Sequence, residues 1–168
     1  IKGGSGACGI VCGYLGQANA NSYGELENVH VVGGTINGFA KGVGGMVGVL
    51  GSGRISRCSA DVSVSSTKDG VGGLVGYYND GSADNVCEIS DCWTSGEVKS
   101  DMKKVGGIIG ELYGNTKAET QVENLNTALI SNCYSTASVV GKSVVAGIVA
   151  YAARSKDPTA VTDCIAWN

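Results

Sequence analysis

A six-residue motif recurs along this chain, and its recurrence limits the fold more than any other feature. The motif is an aliphatic residue, two glycines, two aliphatic residues and a final glycine, and its clearest copies occupy residues 43–48, 71–76 and 105–110. A fourth copy at 145–150 and a degenerate first copy at 7–12 keep the pattern with substitutions. Five copies predict a repeat architecture in which each repeat is one structural unit.

A second motif follows each copy of the first and ends in a cysteine, except in the first repeat, where Val29 takes that place. From this position to the start of the next glycine motif the spacing is nearly constant, at 12 to 14 residues. From the start of a glycine motif to the cysteine (or Val29) that follows it, the spacing ranges from 15 to 28 residues. Constant spacing with insertions on one side is typical of a solenoid. We therefore expect a single all-β domain over residues 1–168, a parallel β-solenoid of about five coils with variable loops on one side.

Alternating side chains after the second motif favour strands. Residues 58–64, 92–98 and 133–139 each place small or apolar side chains on one parity and mainly polar ones on the other, as half-buried strands do. The 28 glycines among 168 residues disfavour helices, because each glycine inside a helix costs roughly 0.5–1 kcal/mol relative to alanine. We expect helix only locally, within residues 117–129, and a corner between the aliphatic residue and the cysteine of the second motif.

Charge and hydropathy exclude two classes of partner. The formal net charge is −3 and no run of basic residues is present, so we expect no nucleic-acid partner. The longest apolar stretch, residues 144–153, is too short to span a bilayer, so we expect no direct membrane insertion. The chain starts at Ile1 rather than at methionine, and we expect it to be a fragment of a longer protein. We also expect that the native protein continues beyond Asn168 or that a partner covers the solenoid end.

The paired motifs, as in residues 71–76 followed by residues 89–93, resemble the GLUG repeat of bacterial surface proteins. Similar repeats occur in adhesin-like proteins and in non-catalytic regions of immunoglobulin A peptidases, and the resemblance covers nearly the whole chain. It implies an extracellular β-solenoid at a bacterial cell surface and implies no catalytic site. The first repeat departs most, because Cys8 and Cys12 stand where glycine belongs and Val29 where cysteine belongs.

Four of the seven cysteines occupy one position in successive repeats, where vertical neighbours would lie about 4.8 Å apart. That separation permits disulfides, but stacked side chains point in parallel, and we favour a ladder of free thiols that act as small hydrophobic groups. Disulfides stay open as the alternative. No closely spaced cysteine pair indicates zinc, and we expect no metal and no cofactor. The ladder comprises Cys58, Cys92, Cys133 and Cys164.

Aromatic residues are the best candidates for binding. Trp93 and Tyr134 are expected in the same outward row of neighbouring coils, and Tyr77, Tyr78 and Tyr113 lie near the roots of the variable segments 77–88 and 111–129. Flat amphipathic rings stack on sugars or anchor protein partners. The alternative, that the rings only shield coil corners or stack on one another, stays open.

Three functions follow as hypotheses. The first is a surface adhesion module that presents loops and aromatic residues to a host glycan or an extracellular protein. The second is a non-catalytic structural spacer in a large secreted peptidase. The third, a polysaccharide-active enzyme, is least favoured: Asp61 and Glu97 are expected in one outward row without further carboxylates, and His30 has no nucleophile motif beside it. We expect no enzymatic activity.

Overall fold

The computed structural model describes residues 1–17, 22–79, 87–113, 128–153 and 159–167. Across these residues the chain forms twenty short strands and no helix, and the strands build four parallel sheets. The predicted all-β parallel solenoid is confirmed. Of the expected helix at 117–129, residues 117–127 lie outside the described residues and the last two belong to the strand Ala128–Ser131.

We number the four sheets I to IV in the order of the chain; coils 2 to 5 contribute strands to all four, and coil 1 contributes strands to sheets II to IV. Coil 1 contributes β1 (Cys12–Leu15) to sheet II, β2 (Gly24–Glu27) to sheet III and β3 (His30–Gly38) to sheet IV. Coil 2 contributes one strand to each of sheets I to IV, in the order β4 (Val43–Gly44), β5 (Val47–Leu50), β6 (Gly53–Ser56) and β7 (Ser59–Ser66). Coil 3 does the same with β8 (Val71–Gly72), β9 (Val75–Asn79), β10 (Cys87–Ser90) and β11 (Trp93–Ser100). Coil 4 contributes β12 (Lys103–Gly106), β13 (Ile109–Tyr113) and β14 (Ala128–Ser131) to sheets I to III, and both β15 (Tyr134–Ser135) and β16 (Ser138–Val140) to sheet IV. Coil 5 contributes β17 (Ser143–Ala146), β18 (Val149–Ala153), β19 (Thr159–Thr162) and β20 (Ile165–Ala166) to sheets I to IV in turn.

The variable segments all join sheet II to sheet III. In coil 2 this link is only residues 51–52, whereas coils 3 and 4 leave sheet II at Asn79 and Tyr113 and enter sheet III at Cys87 and Ala128. Residues 80–86 and 114–127, most of the predicted recognition loops, lie outside the described residues. The path from sheet III through sheets IV and I to sheet II has nearly the same length in every coil, as the constant spacing predicted.

The core consists of columns of like side chains stacked along the solenoid. Parallel in-register pairing brings equivalent residues of successive coils directly above one another. Burying each aliphatic side chain contributes roughly 1.5–3 kcal/mol relative to leaving it in water, and the columns distribute this gain along the whole axis. Fully buried columns include Val43, Val71 and Val105; Ile55, Ile89 and Ile130; and Leu50, Tyr78 and Leu112.

Two corners of the coil require left-handed backbone. The corner from sheet III to sheet IV falls between the aliphatic residue and the cysteine of the second motif, as predicted, and asparagine or aspartate, which tolerate this conformation, occupies it in four of five coils. The second corner precedes sheet I. The first corner carries Asn28, Arg57, Asp91, Asn132 and Asp163, with φ between 51° and 56°; the second carries Gly42, Gly70, Lys104 and Val144.

Across the described part of the chain, a membrane-spanning helix is not found.

Candidate functional site

The outer face of sheet IV brings Trp93 and Tyr134 together. Their strands pair so that the two residues are direct partners, and the rings stack with centroids 5.9 Å apart and an interplanar angle of 7°. In the same row, His30 Nδ1 lies 2.8 Å from the hydroxyl of Ser59, the residue paired with Trp93. One face of each ring is therefore used within the protein.

This row leads to an exposed apolar strip at the last coil. Tyr134 is 47% exposed, and Ile165, its partner in coil 5, is 65% exposed. Trp167, whose backbone N–H donates to the carbonyl of Ser135, is 79% exposed. Aromatic and aliphatic surface thus accumulates on sheet IV toward coil 5.

The expected carboxylate pair on sheet IV does not form. The register pairs Asp61 with Ser95, and Glu97 with Ser63, so the two carboxylates lie in different rows. Cys58 and Cys92 occupy equivalent positions in adjacent coils, but Asp61 lies three residues after Cys58 whereas Glu97 lies five residues after Cys92. Ser95 instead donates a hydrogen bond of 2.6 Å to the carboxylate of Asp61.

The outer face of sheet II holds a buried carboxylate between tyrosines. The register places Glu111 between Tyr77 and Tyr151 of the adjacent coils. The side chain of Glu111 is 1% exposed, and its two oxygens face two ammonium groups, Lys104 Nζ at 2.6 Å and Lys41 Nζ at 3.1 Å. A buried charge is stable only when it is paired, and these two ammonium groups are the ion-pair partners of Glu111.

The same ammonium groups lie over aromatic rings. Lys41 Nζ is 3.9 Å from the ring centroid of Tyr77 and 5.5 Å from that of Tyr113, and Lys104 Nζ is 4.1 Å from that of Tyr151. Burial, the nearby Glu111 carboxylate and Tyr113 raise the pKa of Tyr77 to about 12. Cations over ring faces add about 0.5–2 kcal/mol each. We call Lys41, Tyr77, Lys104, Glu111, Tyr113 and Tyr151 the lysine–tyrosine cluster.

Tyr78 does not belong to a binding surface. Its ring is fully buried, in the column of Leu50 and Leu112, because adjacent residues at this point of the strand face opposite sides of the sheet. Tyr77 and Tyr113, by contrast, are half-buried with their rings 6.5 Å apart. The sequence already indicates this difference, because aligning the repeats places Tyr78 at the position that Leu50 and Leu112 occupy in the neighbouring coils.

The four ladder cysteines stack at the corner between sheets III and IV as free thiols. Each thiol donates to the backbone carbonyl two residues earlier, as Cys92 does to Ser90 at 3.0 Å and Cys133 to Ser131 at 3.1 Å. Hydrogen bonding with the thiols of Cys133 and Cys58, together with burial, raises the pKa of Cys92. The ladder therefore closes the left-handed corner in coils 2 to 5, and three of its members, Cys58, Cys92 and Cys133, are buried.

Within the described residues, histidine, cysteine, aspartate and glutamate side chains do not gather into a group of three or more suited to a metal ion. Comparison with known proteins finds no family model, no curated protein and no solved structure that matches this chain. The resemblance to GLUG repeats therefore continues to rest on the sequence motifs alone.

Sequence reasoning did not identify Lys41, Lys104 or Glu111. A signal was present, because Glu111 directly follows its glycine motif, at the position where coils 3 and 5 have Tyr77 and Tyr151. A carboxylate in a column of aromatic residues indicates that basic partners lie nearby. The position of Lys41, one residue before the left-handed Gly42, becomes meaningful only once the coil path is known.

Proposed function

We propose that this chain is an extracellular module of a bacterial surface protein and that it binds glycans through the lysine–tyrosine cluster. The observation that carries this proposal is the convergence of Tyr77, Tyr113 and Tyr151 on two lysines and a buried carboxylate. Aromatic rings beside fixed polar groups are the usual composition of sugar-binding surfaces.

The lysines retain donors for a ligand. An ammonium group has three N–H donors, and each lysine uses its contact with Glu111 for only part of them. The side chain of Lys41 is 44% exposed, so its remaining donors reach solvent beside the half-buried Tyr113. Glu111 fixes both ammonium groups in place, which lowers the entropy cost of holding a bound hydroxyl.

The position of the cluster also favours binding. Asn79 and Tyr113 end their sheet II strands where the segments of variable length begin. Binding residues are commonly carried on loops that a rigid scaffold positions. A site at the ends of these strands would combine constant contacts from the sheet with contacts that differ from repeat to repeat.

Catalysis is a poorer match to the geometry. A carboxylate beside a lysine resembles an acid–base pair, but the side chain of Glu111 is 1% exposed and engages two ammonium groups. A general acid or base must reach the proton that it transfers. The spacer function is the second candidate, and the observation that favours it is the use of ring faces within the protein, as in the stacked Trp93 and Tyr134.

A glycan-array screen of this chain tests the proposal, with Tyr113→Ala and Tyr151→Ala as cluster variants. Tyr14→Ala is the matched control, because Tyr14 is 64% exposed in the same sheet II row but has no lysine over its ring among the described residues. We expect specific binding that the cluster variants lose and Tyr14→Ala keeps. Binding lost only in Trp93→Ala or Tyr134→Ala would move the site to sheet IV. Silence from a folded chain would favour the spacer.

A further inference from the structure

Of the four described lysines that form no ion pair, three lie in the turns from sheet IV to sheet I; the fourth is Lys2. Residues 39–42, 67–70, 101–104 and 141–144 hold five lysines and two aspartates, although the whole chain has a net charge of −3. Among the described residues, Lys68, Lys103 and Lys142 form no ion pair. We call this side of the solenoid the basic edge.

The other edge of sheet IV has the opposite charge. Glu25, Glu27 and Glu88 lie near the corner from sheet III to sheet IV, where Arg54 and Arg57 pair with them. Asp91 and Asp163 occupy that corner itself and leave this edge with more negative than positive side chains. The eight-residue strands β7 and β11 separate the two edges by roughly 26 Å. An anion approaching sheet IV is therefore directed to the basic edge.

A groove lies on the basic edge and has an exposed aromatic wall. It has a volume of about 440 Å³ and is lined by Phe39, Lys41, Lys68, Asp69 and Met102, with Ser5 and Ala40. Phe39 is 56% exposed and Met102 is 39% exposed, so the apolar part of the groove is open to solvent. This volume lies within the usual range for ligand sites.

A second groove meets the first at Phe39. Its volume is about 260 Å³, and Ser65, Ser66 and Thr67 line it together with Lys99 and Asp101. Successive coils therefore contribute an aromatic ring, lysines and small polar residues to one continuous edge. The lysines come from neighbouring coils, which repeat at about 4.8 Å, so a linear polyanion lying along the axis would meet positive charge in coil after coil.

We infer that this edge binds an acidic polysaccharide, with a sugar ring against Phe39 and its carboxylate or sulfate groups on Lys68 and the neighbouring lysines. The inference goes beyond the glycan site proposed on sheet II, because it names a different surface and the charge of the ligand. Lys41 lines the groove and also belongs to the lysine–tyrosine cluster, whereas Phe39 and Lys68 lie outside that cluster. Variants at Phe39 and Lys68 therefore test this edge without altering the site proposed on sheet II.

Equilibrium binding of the folded chain to polygalacturonate, which carries carboxylates, and to heparin, which carries sulfates, tests the inference against neutral dextran. We expect binding to at least one polyanion and none to dextran. Lys68→Gln and Phe39→Ser should each weaken this binding about tenfold, whereas Arg57→Gln, which removes one charge at the opposite edge, should leave it unchanged. The preference between the two polyanions tells carboxylate from sulfate recognition.

Three results would overturn the inference. The first is that the folded chain binds neither polyanion. The second is that Arg57→Gln weakens binding as much as Lys68→Gln, which would mean that the attraction is diffuse. The third is that Phe39→Ser has no effect on binding, which would exclude the groove as the binding site. Circular dichroism of each variant confirms that it is folded. Loss of neutral-glycan binding in Tyr113→Ala with polyanion binding intact would separate this site from the one on sheet II.

Discussion

Val144 has the left-handed backbone conformation, with φ of 55°, that Gly70 has at the equivalent corner two coils earlier, with φ of 72°. Glycine adopts this conformation freely, whereas a β-branched residue is strained in it. The strain at Val144 persists because the register of sheet I fixes the corner, and Val145 continues the column of Val71 and Val105.

Replacing Val144 with glycine should therefore stabilise the protein. Relief of left-handed strain is worth about 1–2 kcal/mol, and the added freedom of glycine in the unfolded chain offsets part of it, so we expect a gain of about 1 kcal/mol in the free energy of unfolding. Val140→Gly is the matched control: Val140 is 52% exposed in β16 without positive φ, and the same change there should destabilise. Urea denaturation measures both. Equal losses in the two variants would contradict the strain argument.

Removing Lys104 should destabilise the protein more than removing Lys41. Lys104→Met leaves the buried Glu111 with one partner, and breaking a buried ion pair costs about 3–5 kcal/mol. Lys41→Met should cost less, because the Lys41 side chain is 44% exposed against 21% for Lys104. The double variant Lys104→Met with Glu111→Leu removes the buried carboxylate that Lys41 alone compensates, and it should recover much of the stability. A double variant no more stable than Lys104→Met would show that desolvation of Glu111 is not the cause.

The phenol of Tyr77 should ionise at unusually high pH. Its pKa is about 12 in the folded protein against 10 for the ordinary side chain, so folding favours the neutral form. The stability that this preference contributes is complete below pH 10 and is lost as the pH rises through 12. Ultraviolet difference titration should show a tyrosine step near pH 12 that Tyr77→Phe removes. In Glu111→Gln the step should move to lower pH, because the carboxylate is one of its causes; an unmoved step would rule out that contribution.

The denatured, unreduced chain should expose seven titratable thiols. All seven cysteines are free in the structure, and Cys58, Cys92 and Cys133 are buried with their thiols bonded to backbone carbonyls. Before denaturation these three should react with a thiol reagent only as fast as the corner opens, since the reactive species is the exposed thiolate. A count of only five reactive thiols in denaturant would reveal one disulfide and would favour the alternative interpretation, in which ladder cysteines form disulfides.

The fold could be predicted because its two determinants are local and repeated. Constant spacing fixed the path from each cysteine to the next glycine motif, and alternation placed Trp93 and Tyr134 in one row. The expected pairing of Asp61 with Glu97 was wrong, because it ignored their different distances from the cysteines that set the register.

The candidate sites were harder to predict because their residues come from different coils and sheets. Lys41 precedes sheet I in coil 2, yet its ammonium group lies beside Glu111 of coil 4. No local pattern encodes a contact between residues 70 positions apart in the chain. The groove at Phe39 likewise depends on corner geometry that places Met102 and Lys68 beside it.

The contacts that Lys41 makes with two other coils also affect how cooperatively the molecule unfolds. Every strand pairing joins adjacent coils, which is the nearest-neighbour condition under which a linear array frays coil by coil from its ends. Lys41 passes over Tyr77 of coil 3 to the carboxylate of coil 4 and so couples next-nearest neighbours. Coils 2, 3 and 4 consequently share an interaction beyond the pairing of adjacent coils, and we expect these three coils to unfold more cooperatively than strand pairing alone would make them.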